Sequence, residues 1–535
     1  MSLPLYTKLF SANFTPEESH YKVEEMPKTK IPFHVSPKEQ QKIAIIGAGA
    51  MGISIASILA RLELAEVTIF EAESKPFNSK SASTNNTGIL HHFIYGGHRN
   101  TLEMLFKQTV LFRKLMPDYI FGDSKINYLV PNEPNNTAIN REGVTFKEVA
   151  IFLIDFYKKY LIKHPYDNYF GKPEEIAKII DEESIKYFLH SLGLSINQEN
   201  NWFEQSTIRT FCGAVQVKQP VLNMGEYCSH MINLIDLLIN NNLLSFKGNT
   251  RVKSIGINDQ GFDLKIKNSN QLYFDTVINA GYGGGLEIPS PSLQGEIKKE
   301  GNIAKLKVYG LYKITQGLKS QIPGLAESFS STLLIRGQYG GIIKVGYDFI
   351  AMFYGPEYNQ AELHFPIDTN SHQFYEQWHN NLPQIMGRSE KEMMKAIKDG
   401  ISRWIPWAKE LEDVKLKKAV QVYPGRQPAN DLEAAKRDDE PVRYRYKHQN
   451  GGMYIHITGS KLTSIPYNAF KIVREILSTY IAKGILTQEQ VNQHIAIDES
   501  HEITISPHME YALGKDLPQM DSSEREKIIQ EWNVY

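Results

Sequence analysis

Hydrophobic and polar positions change their spacing along the chain, and the first strong pattern lies between residues 42 and 73. The apolar run at residues 43–46 predicts a buried strand that leads into a glycine-rich turn. The next apolar positions predict a helix, and residues 67–70 predict a second buried strand that ends at Glu71. The pattern therefore predicts a βαβ unit.

The turn of this unit has glycine at positions 47, 49 and 52, which is the G-x-G-x-x-G spacing. Gly47 allows a tight turn, Gly49 lets backbone N–H groups approach a pyrophosphate, and Gly52 lets the helix pack on its strand. The helix N-terminus favours the anion. Glu71, nineteen residues after Gly52, can accept hydrogen bonds from ribose hydroxyls. The unit is therefore predicted to bind a dinucleotide, either NAD or FAD.

After Glu71 the chain lacks the compact alternation of strands and helices expected of an NAD-binding domain. Residues 79–100 are small and polar, and helical periodicity follows at residues 101–116 and 146–161. Strand patterns return at residues 245–257, 262–266 and 276–279. The last of these ends at Ala280 and Gly281, and such a strand end belongs beside a cofactor at the edge of an open α/β sheet.

The pattern changes again in the C-terminal half. Residues 303–354 contain β-branched and aromatic runs separated by glycines, which predict an antiparallel sheet, and residues 391–407 predict a helix. A strand at residues 453–457 then leads into Gly459 and Ser460, with a helix from about Pro466. Because this repeats the strand, turn and helix order of the N-terminus, we expect a second helix N-terminus near the cofactor.

Composition narrows the function classes. Lys and Arg (59) balance Asp and Glu (60), so nucleic acid is not favoured as a partner. Two cysteines, Cys212 and Cys228, are too few for a disulfide framework, and no Cys/His cluster has metal-ligand spacing. We therefore expect no metal and a cytoplasmic location. Residues 1–40 lack a secretory apolar region, and the apolar runs are too short to span a bilayer, which leaves only peripheral membrane contact open.

Three cofactor-type segments with a β-rich insertion resemble the FAD-dependent D-amino-acid-oxidase-type superfamily over roughly residues 42–477. The stretch from Asn86 to His91, NTGILH, is similar to the N-S-G-V-I-H pattern of L-2-hydroxyglutarate oxidases and dehydrogenases. Residues 425–428 and 458–463 are also similar to motifs of flavin-dependent glycerol-3-phosphate dehydrogenases. Ser460 replaces a glycine there, and Ile465-Pro466 replaces Tyr-Arg, which weakens the case for a phosphate substrate.

The resemblance implies an α/β fold, with a Rossmann-like FAD-binding domain built from discontinuous segments and a β-rich α+β substrate domain. The FAD-binding domain is expected to combine residues 41–100, 240–290 and 420–480. The substrate domain is expected at residues 101–239, with a helical insertion, and 291–419. An N-terminal extension (1–40) and a C-terminal tail (481–535) remain outside both.

The resemblance also implies which residues contact FAD. The pyrophosphate would lie at Gly47, Gly49, Ala50, Met51 and Gly52, with Ala280 and Gly281 also lining the phosphates. The adenosine would lie at Glu71, Ala72 and the backbone of Val252. Asn86, Thr87 and Gly88 would pass the isoalloxazine ring. The turn formed by Gly459, Ser460, Lys461, Leu462 and Thr463 would close over its pyrimidine edge, where a helix N-terminus stabilises the reduced flavin.

Candidate catalytic and substrate-binding residues follow from the same resemblance and from side-chain chemistry. His91 is the candidate base for alcohol or amine oxidation, and a packing role for this ring stays open. Tyr95 is a candidate hydrogen-bond partner of the substrate. Arg426 has the planar guanidinium suited to a carboxylate, with a surface ion pair as the alternative. Arg336 and Tyr347 are weaker substrate-binding candidates. Covalent attachment of the flavin through His91 or His92 is left open.

These observations predict an FAD-dependent oxidoreductase that oxidises a small carboxylate, a 2-hydroxy acid or an amino acid, by hydride transfer to flavin. The electron acceptor that reoxidises the reduced flavin is expected to be oxygen, a quinone or a protein carrier. One alternative is a flavoenzyme similar to glycerol-3-phosphate dehydrogenase, and another is a non-catalytic flavin-fold scaffold that binds a partner. A purely NAD-dependent enzyme is the least favoured alternative, because it leaves residues 459–463 unexplained.

Overall fold

A computed structural model describes much of the chain. The described residues are 32–78, 80–93, 99–121, 124–131, 144–191, 211–266, 271–281, 301–322, 330–334, 340–346, 348–355, 359–365, 386–425, 442–457, 461–498 and 502–515, with the single residues 288, 325, 383, 517 and 523.

Strands and helices of the described residues are numbered here in chain order. The strands are β1 Gln41–Ile46, β2 Ala65–Phe70, β3 Ile120–Phe121, β4 Lys125–Pro131, β5 Ala177–Ile180, β6 Phe211–Lys218, β7 Val221–Leu222, β8 Leu244–Lys247, β9 Val252–Asn258, β10 Gly261–Ile266, β11 Leu272–Phe274, β12 Thr276–Asn279, β13 Gly301–Lys313, β14 Ser331–Leu334, β15 Gly340–Lys344, β16 Phe349–Tyr354, β17 Asn359–Phe365, β18 Glu412–Gly425, β19 Val442–Lys447, β20 Met453–Ile457, β21 Ile495–Ile497 and β22 Ile503–Ile505. The α-helices are α1 Ala50–Arg61, α2 Arg99–Leu115, α3 Phe146–Lys163, α4 Glu182–Ser191, α5 Met224–Asn240, α6 Gln316–Gln321, α7 Glu390–Ser402, α8 Ile465–Ala482, α9 Gln488–His494 and α10 Pro507–Ala512.

The first sheet is assembled from distant parts of the chain. Among the described residues its order is β19-β20-β12-β1-β2-β8. β1 pairs in parallel with both β2 and β12, and only β19 runs antiparallel to its neighbour. The side chains of Ile43, Ala44 and Ile45 are fully buried, as expected of a central strand with both faces covered. The predicted Rossmann-like sheet built from discontinuous segments is therefore confirmed.

One layer of helices packs on this sheet. Almost every residue of α1 is buried, so this helix lies inside the protein instead of presenting a polar face to water. It contacts both α5 and α8, and all three helices share one hydrophobic core with β1. α5 lies in the range that we assigned to the substrate domain, although it packs against the helix of the nucleotide unit. The domain boundaries themselves stay a prediction.

The second sheet is large and mixed. Among the described residues its order is β17-β13-β16-β15-β14-β4-β6-β5, with β18 paired to β13. Neighbouring strands are antiparallel except β4 and β14. Within residues 303–354 the described strands pair antiparallel with one another, as predicted. Alternate residues of β4 face opposite cores: Leu129 packs in the core that contains residues of α7, and Tyr128 and Val130 in the core that contains residues of α3. Helical layers therefore cover both faces.

Local signals explain where several elements begin and end. α3 begins after Thr145, whose side chain forms a reciprocal capping box with Glu148. The helix predicted at residues 391–407 ends at Ser402, and a separate 3-10 helix, Pro406–Glu410, follows it. The residue before Pro406 is not helical, since a proline disfavours that conformation in its predecessor. The strand predicted at residues 245–257 is two strands, β8 and β9, separated by a turn.

None of the helices in the described part of the chain has the length and apolar character needed to cross a bilayer.

Candidate functional site

The turn between β1 and α1 requires glycine for two separate reasons. Gly47 has a φ of +98°, where a residue with a side chain is strained, and a Cβ there would lie 2.9 Å from the carbonyl oxygen of Ala280. A Cβ on Gly52 would lie 2.1 Å from the carbonyl oxygen of Gly47. Larger residues would therefore push the turn away from β12 and the helix away from the turn. The first contact also places Ala280 and Gly281 beside the turn, as predicted.

The N-terminus of α1 is open to an anion. Gly49 caps the helix in an extended conformation without a side-chain hydrogen bond, and Ala50 and Met51 form the start of its first turn. First-turn N–H groups have no carbonyl partner inside a helix. The amide of Ala50 donates instead to the Oγ of Ser83, at 3.1 Å. An added Cβ on Gly49 would approach Ser81 and Ser83 only to ordinary contact distance, so these two hydroxyls line the turn.

Glu71 is held rigidly at the end of β2. Its Oε2 accepts a hydrogen bond from the backbone N–H of Ala48 at 2.8 Å, and its Oε1 accepts one from that of Glu73 at 3.1 Å. Burial raises the pKa of the Glu71 carboxyl, and these N–H donors oppose that shift. Ala72 follows it in an exposed position. The carboxylate is therefore fixed beside the glycine turn, where a ribose would meet it.

Backbone hydrogen bonds bring the start of β9 to the same place. The N–H of Asn249 donates to the carbonyl oxygen of Glu73, and that of Thr250 donates to the carbonyl oxygen of Glu71, each at 2.8 Å. Val252, two residues later, is buried in a core with Phe70. The structure therefore brings Val252 close to Glu71, as the expected adenosine site requires.

The glycine turn, helix N-terminus and buried carboxylate together fit the pyrophosphate and ribose of FAD. Glycines stand where a Cβ would collide with backbone, and N–H groups are presented where a phosphate would bind. The same combination would fit the adenosine half of another dinucleotide, so this half of the site does not distinguish NAD from FAD.

The segment from Asn86 to His91 forms the second half of the candidate site. Gly88 has a φ of +79°, and a Cβ there would lie 2.2 Å from the carbonyl oxygen of Leu222. The N–H of Leu222 donates to the carbonyl oxygen of Gly88, and that of Leu90 donates to the carbonyl oxygen of Pro220. The side chain of Asn86 accepts from the N–H of Gly88, which tightens the turn around Thr87. The segment is therefore held against the residues that follow β6.

The predicted closing turn meets this segment at one described contact. The backbone N–H of His91 donates to the Oγ1 of Thr463 at 2.6 Å, across 372 residues of sequence. Leu462 and Thr463 are buried, half-buried Lys461 precedes them, and the 3-10 helix Leu462–Ser464 leads directly into α8. His91 and the start of α8, both predicted to lie at the flavin, are therefore adjacent.

His92 occupies a different environment from His91. Its side chain is fully buried, with ring centroids 4.9 Å from Phe170 and 6.0 Å from Phe106. Burial, with Arg113 and His91 nearby, lowers the pKa of His92 to about 3. Its ring therefore belongs to the core beside α2, which disfavours it as a covalent attachment point for flavin.

Sequence reasoning missed three buried polar residues at this side of the site. Gln219 contacts the ring of His91, and Tyr128 contacts Gln219. Lys417 on β18 donates from Nζ to the carbonyl oxygen of Thr84 at 3.1 Å, just before the segment that should pass the flavin. Burial and the neighbouring Lys415 lower the pKa of Lys417 to about 7. No local motif identifies these residues, because strands far apart in sequence bring them here.

Several predicted site residues lie outside the described residues, and their predicted roles therefore stay predictions. They are Tyr95, Arg336, Tyr347, Arg426, Gly459 and Ser460. Within the described residues, no group of three or more His, Cys, Asp or Glu side chains is arranged to hold a metal ion.

Comparison with known proteins decides between the two dinucleotides. Residues 42–134, which include the glycine turn, Glu71 and the segment from Asn86 to His91, match the DAO family, described as FAD dependent oxidoreductase. By this match, residues 42–134 carry a DAO-type, FAD-dependent oxidoreductase domain, which identifies FAD as the cofactor.

Solved structures of several enzymes share the fold of this chain. An L-proline dehydrogenase from P. horikoshii is 14% identical with a TM-score of 0.51, and the match covers 85% of this chain and 96% of that one. A modified fructosyl peptide oxidase from Aspergillus nidulans is 12% identical with a TM-score of 0.53, covering 83% and 91%. An L-amino acid deaminase from Proteus vulgaris is 11% identical with a TM-score of 0.50, covering 83% and 95%. No curated protein matches the sequence.

Proposed function

We propose that this flavoenzyme oxidises a small carboxylate, a 2-hydroxy acid or an amino acid, by hydride transfer to FAD. The junction between His91 and Thr463 is the observation that carries the proposal. It holds the backbone of His91, whose imidazole can donate or accept hydrogen bonds at neutral pH, against the start of α8. L-Proline dehydrogenase and L-amino acid deaminase are among the proteins with the same fold, which supports a carboxylate substrate.

The reaction separates one C–H bond and one O–H or N–H bond of the substrate. FAD, when bound, supplies the acceptor for the hydride that leaves carbon. The remaining proton passes to His91 or to solvent, and the product is a keto acid or an imino acid. Arg426 is proposed to hold the substrate carboxylate through paired N–H donors, which would fix the C–H bond relative to the cofactor.

The electron acceptor is proposed to be oxygen, a quinone or a protein carrier, and the location is proposed to be cytoplasmic. Access of the acceptor depends on the shape of the cavity beside the flavin.

The proposal is tested by anaerobic addition of small acids to the purified protein while visible absorption is followed. The panel contains L-proline, glycine, L-2-hydroxyglutarate and L-lactate, each with its methyl ester as a matched control. We expect one free acid to bleach the flavin and its ester to fail, because the ester removes the carboxylate charge. Bleaching by glycerol 3-phosphate would point instead to the phosphate-substrate alternative. A bound flavin that no compound bleaches would favour the scaffold.

The role of Arg426 is tested by replacement with lysine, which keeps the charge and loses the paired donors. We expect the KM of the bleaching acid to rise about 10- to 100-fold, since a hydrogen bond to a charged group contributes about 1.5–3 kcal/mol. Arg445→Lys is the matched control, because Arg445 instead pairs with Glu475 at the surface. An unchanged KM in R426K would remove Arg426 from the substrate site.

A further inference from the structure

A chain of buried side chains reaches the imidazole of His91 from the second sheet. The hydroxyl of Tyr128, on β4, lies 2.8 Å from the Oε1 of Gln219, and the Nε2 of Gln219 lies 3.4 Å from the Nδ1 of His91. Gln219 is fully buried and Tyr128 is 1% exposed, whereas His91 is half-buried. The backbone N–H of Gln219 donates to the carbonyl oxygen of Ser124, which fixes the main chain of this residue.

The direction of these hydrogen bonds follows from the single hydrogen of the Tyr128 hydroxyl. This hydroxyl lies 2.8 Å from the Oε1 of Gln219 and 3.4 Å from the carbonyl oxygen of Phe93. The shorter contact provides the stronger hydrogen bond, so Tyr128 donates to Gln219. This donation keeps the amide oxygen of Gln219 towards Tyr128 and its NH₂ group towards His91.

An amide NH₂ group only donates, so the Nδ1 of His91 must accept. A neutral imidazole that accepts at Nδ1 carries its proton at Nε2. Protonation of Nδ1 would set two donors against each other, which disfavours the imidazolium form. The geometry therefore selects one tautomer of a neutral ring.

We propose that Gln219, held by Tyr128, keeps His91 neutral with its proton on Nε2, so that His91 donates a hydrogen bond to the substrate and does not act as the base. This deepens the proposed function and rests on it for the placement of substrate at His91. The hydride leaves the substrate carbon for the flavin, and the O–H or N–H proton passes to solvent. Gln219 and Tyr128 are positioning residues, because they act through His91.

The opposite orientation of the amide makes a different prediction. If the amide oxygen of Gln219 faced His91, it would accept from Nδ1–H and leave a lone pair on Nε2, which is the form that a general base requires. The two arrangements are thus distinguished by the position of one proton, which is measurable without turnover.

The test is a ¹⁵N NMR spectrum of the FAD-loaded full chain, labelled with ¹⁵N at the histidine ring nitrogens. The resonances that are missing from the spectrum of the His91→Gln variant belong to His91. We expect a protonated Nε2 and an unprotonated Nδ1. In Gln219→Glu, a carboxylate that only accepts should move the proton to Nδ1 or give the imidazolium. Gln216→Glu is the matched control, since Gln216 lies on β6, the strand that precedes Gln219, but donates to Asn127. A protonated Nδ1 in the unmodified protein, or no response to Q219E, would overturn the proposal.

A second readout separates a donor from a base at position 91. Glutamine donates through its amide but cannot act as a base, whereas phenylalanine does neither. With the acid that bleaches the flavin of the unmodified enzyme, we expect the rate of bleaching to fall about 10- to 100-fold in H91F. The rate in H91Q should recover most of that loss. Equal loss in both variants would show that His91 is the base and contradict the inference. If no acid bleaches any flavin-loaded protein, the proposed function fails, and the ¹⁵N spectrum still decides the tautomer.

Discussion

The two halves of the candidate site are held in different ways. At the glycine turn, backbone meets backbone: Gly47 touches the end of β12, and Gly52 packs on the turn itself. At the other half, side chains from distant strands and turns converge on His91, through Gln219 and Thr463. The first arrangement tolerates no added atoms, whereas the second depends on individual hydrogen bonds. We therefore expect substitutions in the first half to lower FAD affinity sharply, and substitutions in the second half to lower the rate of flavin bleaching only in part.

The largest effect is expected for Gly52→Ala. The added Cβ would lie 2.1 Å from the carbonyl oxygen of Gly47, so the turn must shift away from the pyrophosphate position. Overpacking against fixed backbone costs about 3 kcal/mol or more, and we expect FAD affinity to fall at least 100-fold. FAD fluorescence quenching during titration measures this. Gly317→Ala is the control, because its Cβ would have no contact closer than 3.9 Å. FAD binding by G52A at unchanged affinity would exclude this turn as the pyrophosphate site.

His92→Phe is expected to change how stability depends on pH. The pKa of His92 in the fold is about 3 and its ordinary value is 6.5, so the unfolded chain binds more protons between these values. Stability is therefore lost as pH falls below about 6.5, by about 1–2 kcal/mol between pH 6.5 and 5. H92F should remove that loss in urea unfolding curves. Exposed His34, replaced by glutamine, is the control. The same slope in H92F and the unmodified protein would refute the assignment.

Glu71→Gln tests the contribution of the Glu71 charge to FAD binding at the ribose end of the glycine turn. The amide keeps the shape and one acceptor oxygen but loses the charge that now accepts from two backbone N–H groups. We expect FAD affinity to fall about tenfold, or about 1.4 kcal/mol, as for the loss of one charge-assisted hydrogen bond. Glu66→Gln, at an exposed position on the same strand, should have no effect. Equal FAD affinity in both variants would place the ribose elsewhere.

The smallest effect is expected for Thr463→Val, which removes the acceptor for the backbone N–H of His91. One net hydrogen bond contributes about 1 kcal/mol, so substrate-induced bleaching should slow by about fivefold while FAD remains bound. Thr463→Ser keeps the hydroxyl and should restore the rate. If T463V and T463S bleach equally fast, the hydroxyl does not position His91 during catalysis.

The first half of the site was largely predictable because its requirements are local. Gly47, Gly52 and Glu71 lie within one βαβ unit, where strand, turn and helix periods fix their relative positions. The assembly of the sheet from three parts of the chain was also expected, since each part ends a buried strand at small residues. The predicted C-terminal end of the helix at residues 391–407 was wrong, because the constraint that Pro406 places on the residue before it was not applied.

The second half was predictable only where a family pattern exists. The segment from Asn86 to His91 was found in this way, and its contact with Thr463 follows the expected closing turn. Tyr128, Gln219 and Lys417 could not be found, because their roles arise from sheet register and from contacts such as that between Gln219 and His91, 128 residues apart. Ser81 and Ser83 lie in a segment noted only for its small polar composition, which does not specify which hydroxyl faces the turn.

The most direct test of the account is the visible absorption spectrum of the purified protein, recorded before and after denaturation and filtration. The account predicts a yellow protein whose flavin passes through the filter after denaturation, because we propose that FAD binds noncovalently at the glycine turn and Glu71, and burial disfavours a bond to His92. A colourless protein that cannot be reconstituted with FAD would contradict the central claim.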